Sequence, residues 1–113
     1  MRWLLRSKIH KATVTNADLH YIGSIGVDKN LMEKVGLWSG EKVLVVDNTN
    51  GARLETYVIE KEKNSGKIII YGAAARLIKK GDEIIIMGFE LTNKPIKAKI
   101  VLVDKNNKFV KFL

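Results

Sequence analysis

The 113-residue chain contains no cysteine. That absence excludes disulfides, thiolate nucleophiles and cysteine-built metal sites. Pro95 is the single proline, and charged residues make up only 28% of the chain; both argue against disorder. The two histidines, His10 and His20, lack the i, i+4 spacing of a helical zinc pair. Carboxylates are scattered, so no metal centre is expected. Long apolar runs are missing as well. The N-terminal stretch MRWLLRSKIHK has three apolar residues together, Trp3 to Leu5, too few for the apolar region of a signal peptide. The run from Ile68 to Ala75 falls far short of the roughly 18 residues of a membrane span. A cytoplasmic location without a membrane partner is the expectation.

What the chain does have is positive charge. It carries 20 Lys and Arg against 12 Asp and Glu, a formal net charge of +8. A nucleic-acid-binding surface would cluster those charges and interleave them with aromatics. Here the lysines spread over the whole length and sit mostly in turns, as at Lys61 and Lys63, Lys79 and Lys80, Lys105 and Lys108. A solvated surface or an anionic small molecule suits that spread better, and no nucleic-acid partner is expected. With 46% hydrophobic residues, a single domain over residues 1–113 can bury its own core.

Apolar residues come in short runs bounded by Gly, Asn and Asp, which predicts a mainly β domain. Strands are expected at 42–47, 52–60, 67–71, 83–90 and 99–104, with FVKFL as an edge strand. Asn50-Gly51 predicts a tight hairpin, because both residues accept positive φ. Asp28 as cap, Leu31 and Val35 on one face and Gly36 as stop predict one helix. A second short helix is expected over 73–79, its basic end suiting the dipole. About six short strands with two small helices suggest a closed barrel, which removes free sheet edges.

The stretch HYIGSIGVD, residues 20–28, places Gly23 and Ser24 between bulky neighbours. A turn explains this. A chemical role requires an activated serine, and the G-x-S-x-G elbow of serine hydrolases is absent. A serine after glycine can instead attack the carbonyl of its own preceding residue, so that proximity replaces substrate binding. Glycine supplies an unhindered carbonyl and the freedom for a strained turn.

Three segments decide between these readings. KIHKATVTNADLHYIGSI, TNGARLETYVI and GAAARLIKKGDEIII, in this order and spacing, closely resemble the bacterial aspartate 1-decarboxylase family of pyruvoyl-dependent enzymes. The resemblance covers about Lys8 to Gly88, and IVLVDKNN more weakly. It implies a six-stranded double-psi β-barrel, a homotetramer and the synthesis of β-alanine for pantothenate. It also implies self-cleavage of the Gly23-Ser24 bond, giving a chain 1–23 and a chain 24–113. Ser24 then becomes the pyruvoyl group, which forms a Schiff base with L-aspartate and draws electrons as the α-carboxylate leaves.

By the same resemblance Tyr57 is the proton donor, and Thr56 hydrogen-bonds near the scissile carbonyl and the substrate. Lys8, His10 and Arg53 bind substrate, the planar Arg53 fork suiting a carboxylate. Gly72, Ala73 and Ala74 offer free N–H groups, and Tyr21 and Ile25 flank the site. Thr56 and Tyr57 point to opposite faces of a regular strand, and Arg53 lies about 13 Å from Tyr57; a site between subunits reconciles them. Tyr71 departs from the family, which usually has asparagine there. A pyruvoyl decarboxylase of another amino acid and a nucleic-acid-binding barrel are the alternatives. The sequence leaves open whether a helper protein assists maturation.

Overall fold

The computed structural model describes residues 1–113. In chain order it contains β1 (Arg2–Thr13), β2 (Asn16–Asp18), β3 (Ser24–Asp28), α1 (Lys29–Val35), β4 (Lys42–Asp47), β5 (Arg53–Lys61) and β6 (Ile68–Tyr71). A 3-10 turn (Gly72–Arg76) follows, then β7 (Glu83–Thr92), β8 (Lys99–Val103) and β9 (Phe109–Phe112). No helix is long and apolar enough to cross a membrane.

The nine strands form one sheet in the order β2-β6-β3-β5-β4-β7-β1-β8-β9. β2 and β1 hold the first and seventh places, yet only Val14 and Thr15 separate them in the chain. The sheet must therefore curl until its first strand returns beside its seventh. No hydrogen-bonded ladder closes that ring; the chain closes it by running from β1 into β2. Val14 N–H donates to the Asp82 carbonyl at 2.9 Å and Thr15 N–H to the Ile68 carbonyl at 2.8 Å, pinning the crossing. With β1 and β2 taken as one strand, the ring has the expected six strands, and β8 and β9 lie outside it on the β1 edge.

The core follows strand alternation. Val43 and Val45 of β4 and Ile84 and Ile86 of β7 point inward and are fully or almost fully buried, as are Ile9, Ile25, Val58 and Ile70 on their strands. Truncating one such isoleucine to alanine costs about 2–5 kcal/mol. The outward partners Leu44, Val46, Ile85 and Met87 are only half-buried, so the outer surface of β4 and β7 is apolar too.

The expected helix forms as α1. Asp28 Oδ1 accepts from Asn30 N–H at 2.8 Å, and Gly36 closes the helix with φ 77°. Asp28 also accepts from Asn64 N–H and Gly66 N–H, both at 2.9 Å, so one buried carboxylate ties β3 to the 62–66 turn. The second helix differs from expectation: it is a 3-10 turn that begins at Gly72 and ends at Arg76. Leu77 N–H and Ile78 N–H both return to the Ala74 carbonyl, and Lys79 N–H goes to Asp82 Oδ2. The Asn50-Gly51 turn also differs. Only Gly51 has positive φ, 79°, because Asp47 Oδ1 accepts from Thr49 and Asn50 N–H and builds a longer loop.

Candidate active site

The Gly23-Ser24 bond lies where exposed chain enters the sheet: Gly23 is exposed, while Ser24 opens β3 and is buried. β3 runs antiparallel to β6 with Ser24 opposite Tyr71, which brings Gly72 against the bond. A Cβ on Gly72 would stand 2.7 Å from Gly23 Cα, 2.9 Å from Gly23 N and 3.1 Å from the Tyr21 carbonyl. Gly72 also has φ +76°, a conformation side chains resist. Both constraints demand glycine, and the bare backbone so exposed is what the Tyr21–Gly23 segment rests on. Ala73 and Ala74 follow directly, exposed and half-buried.

On its other side β3 pairs in parallel with β5, Ile25 opposite Val58. One step back along that register sets Ser24 level with Tyr57, and two steps set Gly23 level with Thr56. The β4–β5 ladder runs unbroken from Lys42 opposite Tyr57 to Val46 opposite Arg53, so no bulge turns a β5 side chain. Thr56 shares the inner face with Val43, while Arg53, Glu55 and Tyr57 are exposed on the outer face. Tyr57, Ser24 and Tyr71 thus form an outward row across β5, β3 and β6.

Lys8 and His10 lie on β1, also on the outer face. Lys8 stands opposite Met87, which stands opposite Leu44 and in turn Glu55. Past Ile9 the β1–β7 register shifts, and Lys11 takes φ 64° there. His10 is half-buried at this irregularity, and its Nδ1 is enclosed without a partner. Burial, then the positive charges of Lys8 and Lys11, push its pKa down, against a smaller opposing pull from Glu83. Lys8, His10 and Arg53 border a floor of Leu44, Val46, Ile85 and Met87. Three strand spacings, about 14 Å, separate β1 from β5.

One chain therefore assembles two groups. Gly23, Ser24, Thr56, Tyr57, Gly72, Ala73 and Ala74 gather at the ends of β3, β5 and β6. Lys8, His10 and Arg53 surround the apolar floor on β4 and β7. Followed through β7, β4 and β5, the sheet path from β1 to β3 is four spacings, about 19 Å along the curved wall.

The profile of the aspartate decarboxylase family matches residues 1–110. The chain belongs to the aspartate decarboxylase family. Relatives named aspartate 1-decarboxylase agree with that placement. The one from Caldicellulosiruptor saccharolyticus is 54% identical over 112 residues, covering 96% of this chain and 88% of the relative. That from Clostridium botulinum is 53% identical over 108 residues, 92% and 87% of the two chains. That from Neisseria meningitidis is 50% identical over 111 residues, 95% and 87%.

Within this aspartate decarboxylase family fold, the sequence alone did not single out Gly26 or Lys61. Tyr71 is buried, its ring centroid 4.6 Å from that of Tyr21 and tilted by 38°. Lys61 Nζ stands 5.2 Å from the same ring centre. The Tyr71 side chain raises the Lys61 pKa, with burial opposing. A Cβ on Gly26 would fall 3.0 Å from Lys61 Cγ and 3.2 Å from Tyr71 Cε2, so glycine opens the slot both occupy. The second glycine of GSIG was the available signal.

Proposed function

We propose that this chain is the precursor of a pyruvoyl-dependent L-aspartate 1-decarboxylase that forms β-alanine and CO2, in the cytoplasm, for pantothenate synthesis. The observation carrying this reading is the backbone of Gly72 pressed against Gly23 beside a buried Ser24. The Gly23-Ser24 bond is thereby held in one place, as an intramolecular reaction requires. Ser24 Oγ attacks the Gly23 carbonyl; a C–O bond forms, the C–N bond breaks, and the hydroxyl proton passes to the freed amine. Thr56, level with Gly23, is suited to donate to the oxyanion that develops. Elimination then releases Met1–Gly23 as a carboxylate, and hydrolysis of the remaining dehydroalanine yields the keto group and ammonia.

The surroundings of residue 24 fit such a group, since Gly72 leaves no side chain over it and Tyr57 stands level with it. When present, the ketone takes up the substrate amine and accepts the electrons left by the departing carboxylate. Tyr57, level with residue 24, returns a proton to Cα in this reading, the work of a general acid. Arg53 presents its fork to a substrate carboxylate. Lys8 adds positive charge, and His10, with its lowered pKa, acts as a neutral imidazole near pH 7. Ala73 and Ala74 contribute N–H groups; their 3-10 turn spans only Gly72–Arg76, so the groups act individually rather than through a helix dipole.

The two residue groups lie on different strands, which suits a site shared within a homotetramer. A second copy, laying its Ser24 end on the Leu44–Met87 floor, completes the site with its neighbour's Lys8, His10 and Arg53. Intact mass of purified protein tests the proposal. The expected result is two pieces split after residue 23, the larger blocked and hydrazine-reactive, with CO2 released from L-aspartate. An unbroken chain that decarboxylates aspartate would refute it. So would turnover of glutamate with aspartate inert.

A further inference from the structure

The stack of Tyr21, Tyr71 and Lys61 lies beside the bond assigned above to self-cleavage, and none of its side chains has a part in that chemistry. Tyr71 stands opposite Ser24. Its ring is fixed on three sides: by Gly26 beneath, by the Lys61 stem and ammonium, and by Tyr21. Tyr21, Ile22 and Gly23 are otherwise open to solvent, Tyr21 at 56% and Ile22 at 76% exposure. An exposed glycine-ended segment samples many conformations unless something holds it. Gly72 supports it through backbone contact alone. The aromatic pair adds a side-chain hold two residues before the scissile bond.

We propose that Tyr71 is a positioning residue for self-cleavage: its ring, seated over Gly26 and against Lys61, stacks on Tyr21 and keeps the Gly23 carbonyl within reach of Ser24 Oγ. This rests on the Ser24 reading and adds no chemical step to it. The stack raises the fraction of time the reacting atoms spend in attacking geometry, a quantity to which intramolecular reactions are steeply sensitive. Lys61 contributes by ordering the ring through its charge over the π face.

The test follows the time course of the 24–113 fragment by intact mass, starting from freshly made precursor. Tyr21→Ala removes the stack at an exposed position and should slow cleavage roughly tenfold, whereas Tyr21→Phe, which keeps the ring, should stay within about twofold. Gly26→Ala leaves Tyr21 and Ser24 untouched but crowds the Tyr71 ring, and should slow cleavage severalfold. Melting temperatures measured in a Ser24→Ala background, where no cleavage intervenes, should be unmoved by Tyr21→Ala. Cleavage of Tyr21→Ala at the parent rate would overturn the stack while leaving the Ser24 reading in place. A parent chain that never cleaves would overturn the Ser24 reading, and the stack's role with it.

Discussion

Gly72 combines two demands that rarely coincide, a left-handed backbone and the absence of a side chain against a neighbouring main chain. Gly72→Ala meets both penalties at once: about 1 kcal/mol or more for the conformation, and displacement of Gly23 by the added carbon. The expected outcome is a folded but less stable protein that remains a single chain, seen on a denaturing gel beside the parent. Tyr57 separates from it cleanly. Tyr57→Phe keeps the ring and loses the hydroxyl, so the two pieces should still appear while CO2 release falls about 100-fold. A loss of cleavage in Tyr57→Phe would show that the hydroxyl serves maturation as well. The Gly23-Ser24 pair stood out in the sequence only because three separate segments resembled one family. The Tyr71 stack did not, because the pairing of β3 with β6 that creates it joins residues far apart in the chain.

Among the elements, α1 was legible because its signals are local. Asp28, Leu31, Val35 and Gly36 act within one helix, and all four behave as their chemistry dictates. Strands β2 and β3 were not foreseen, and β1 only where Lys8 and His10 share one face of an extended stretch. β1 is held by ladders to β7 and β8, and β3 carries a glycine that weakens its intrinsic preference. The predicted helix over 73–79 became a 3-10 turn because Gly72 starts it in a left-handed conformation and Asp82 captures Lys79 N–H. Asp28 does more than cap. Its removal in Asp28→Ala leaves the Asn30, Asn64 and Gly66 N–H groups short of an acceptor, costing about 2–4 kcal/mol in urea unfolding.

The β4–β7 corner holds a second acid with a measurable signature. Asp47 is fully buried and its Oδ2 lacks a donor. Burial, then the neighbouring Asp82 carboxyl, raises its pKa; the Thr49 and Asn50 N–H groups pull the other way. The folded state thus binds the proton more tightly than the unfolded chain. The contribution to stability is complete below the ordinary carboxylate range and is lost as pH rises through the raised value. Asp47→Asn, which is neutral at every pH, should raise the melting temperature at pH 7 and flatten its decline from weakly acid to neutral pH. A steeper decline in the variant would contradict this account.

For the whole molecule, the sequence indicated a mainly β single domain and a ring of six strands, but not how the ring closes. Closure depends on β1 and β2 being continuous chain at two distant places in the sheet order, a topological fact that no local signal carries. The proposed sharing of the site between subunits makes its own prediction. Coexpressed Ser24→Ala and Lys8→Ala chains, each inactive alone, should together recover a fraction of the parent's CO2 release, because mixed oligomers contain one intact junction. No recovery would place all the machinery inside one subunit.

If residue 23 is severed from residue 24 as proposed, the run from β1 into β2 has a lasting consequence. The small fragment then threads two separate places in the sheet, one strand clasped between β7 and β8 and the other along β6. It cannot slip out without tearing the wall open, and once out it has no covalent path back. The uncut Ser24→Ala chain should refold from urea at a rate independent of dilution. The mature protein should recover poorly and worse the more dilute it is, because maturation turns a reversible fold into one that remembers having been assembled whole.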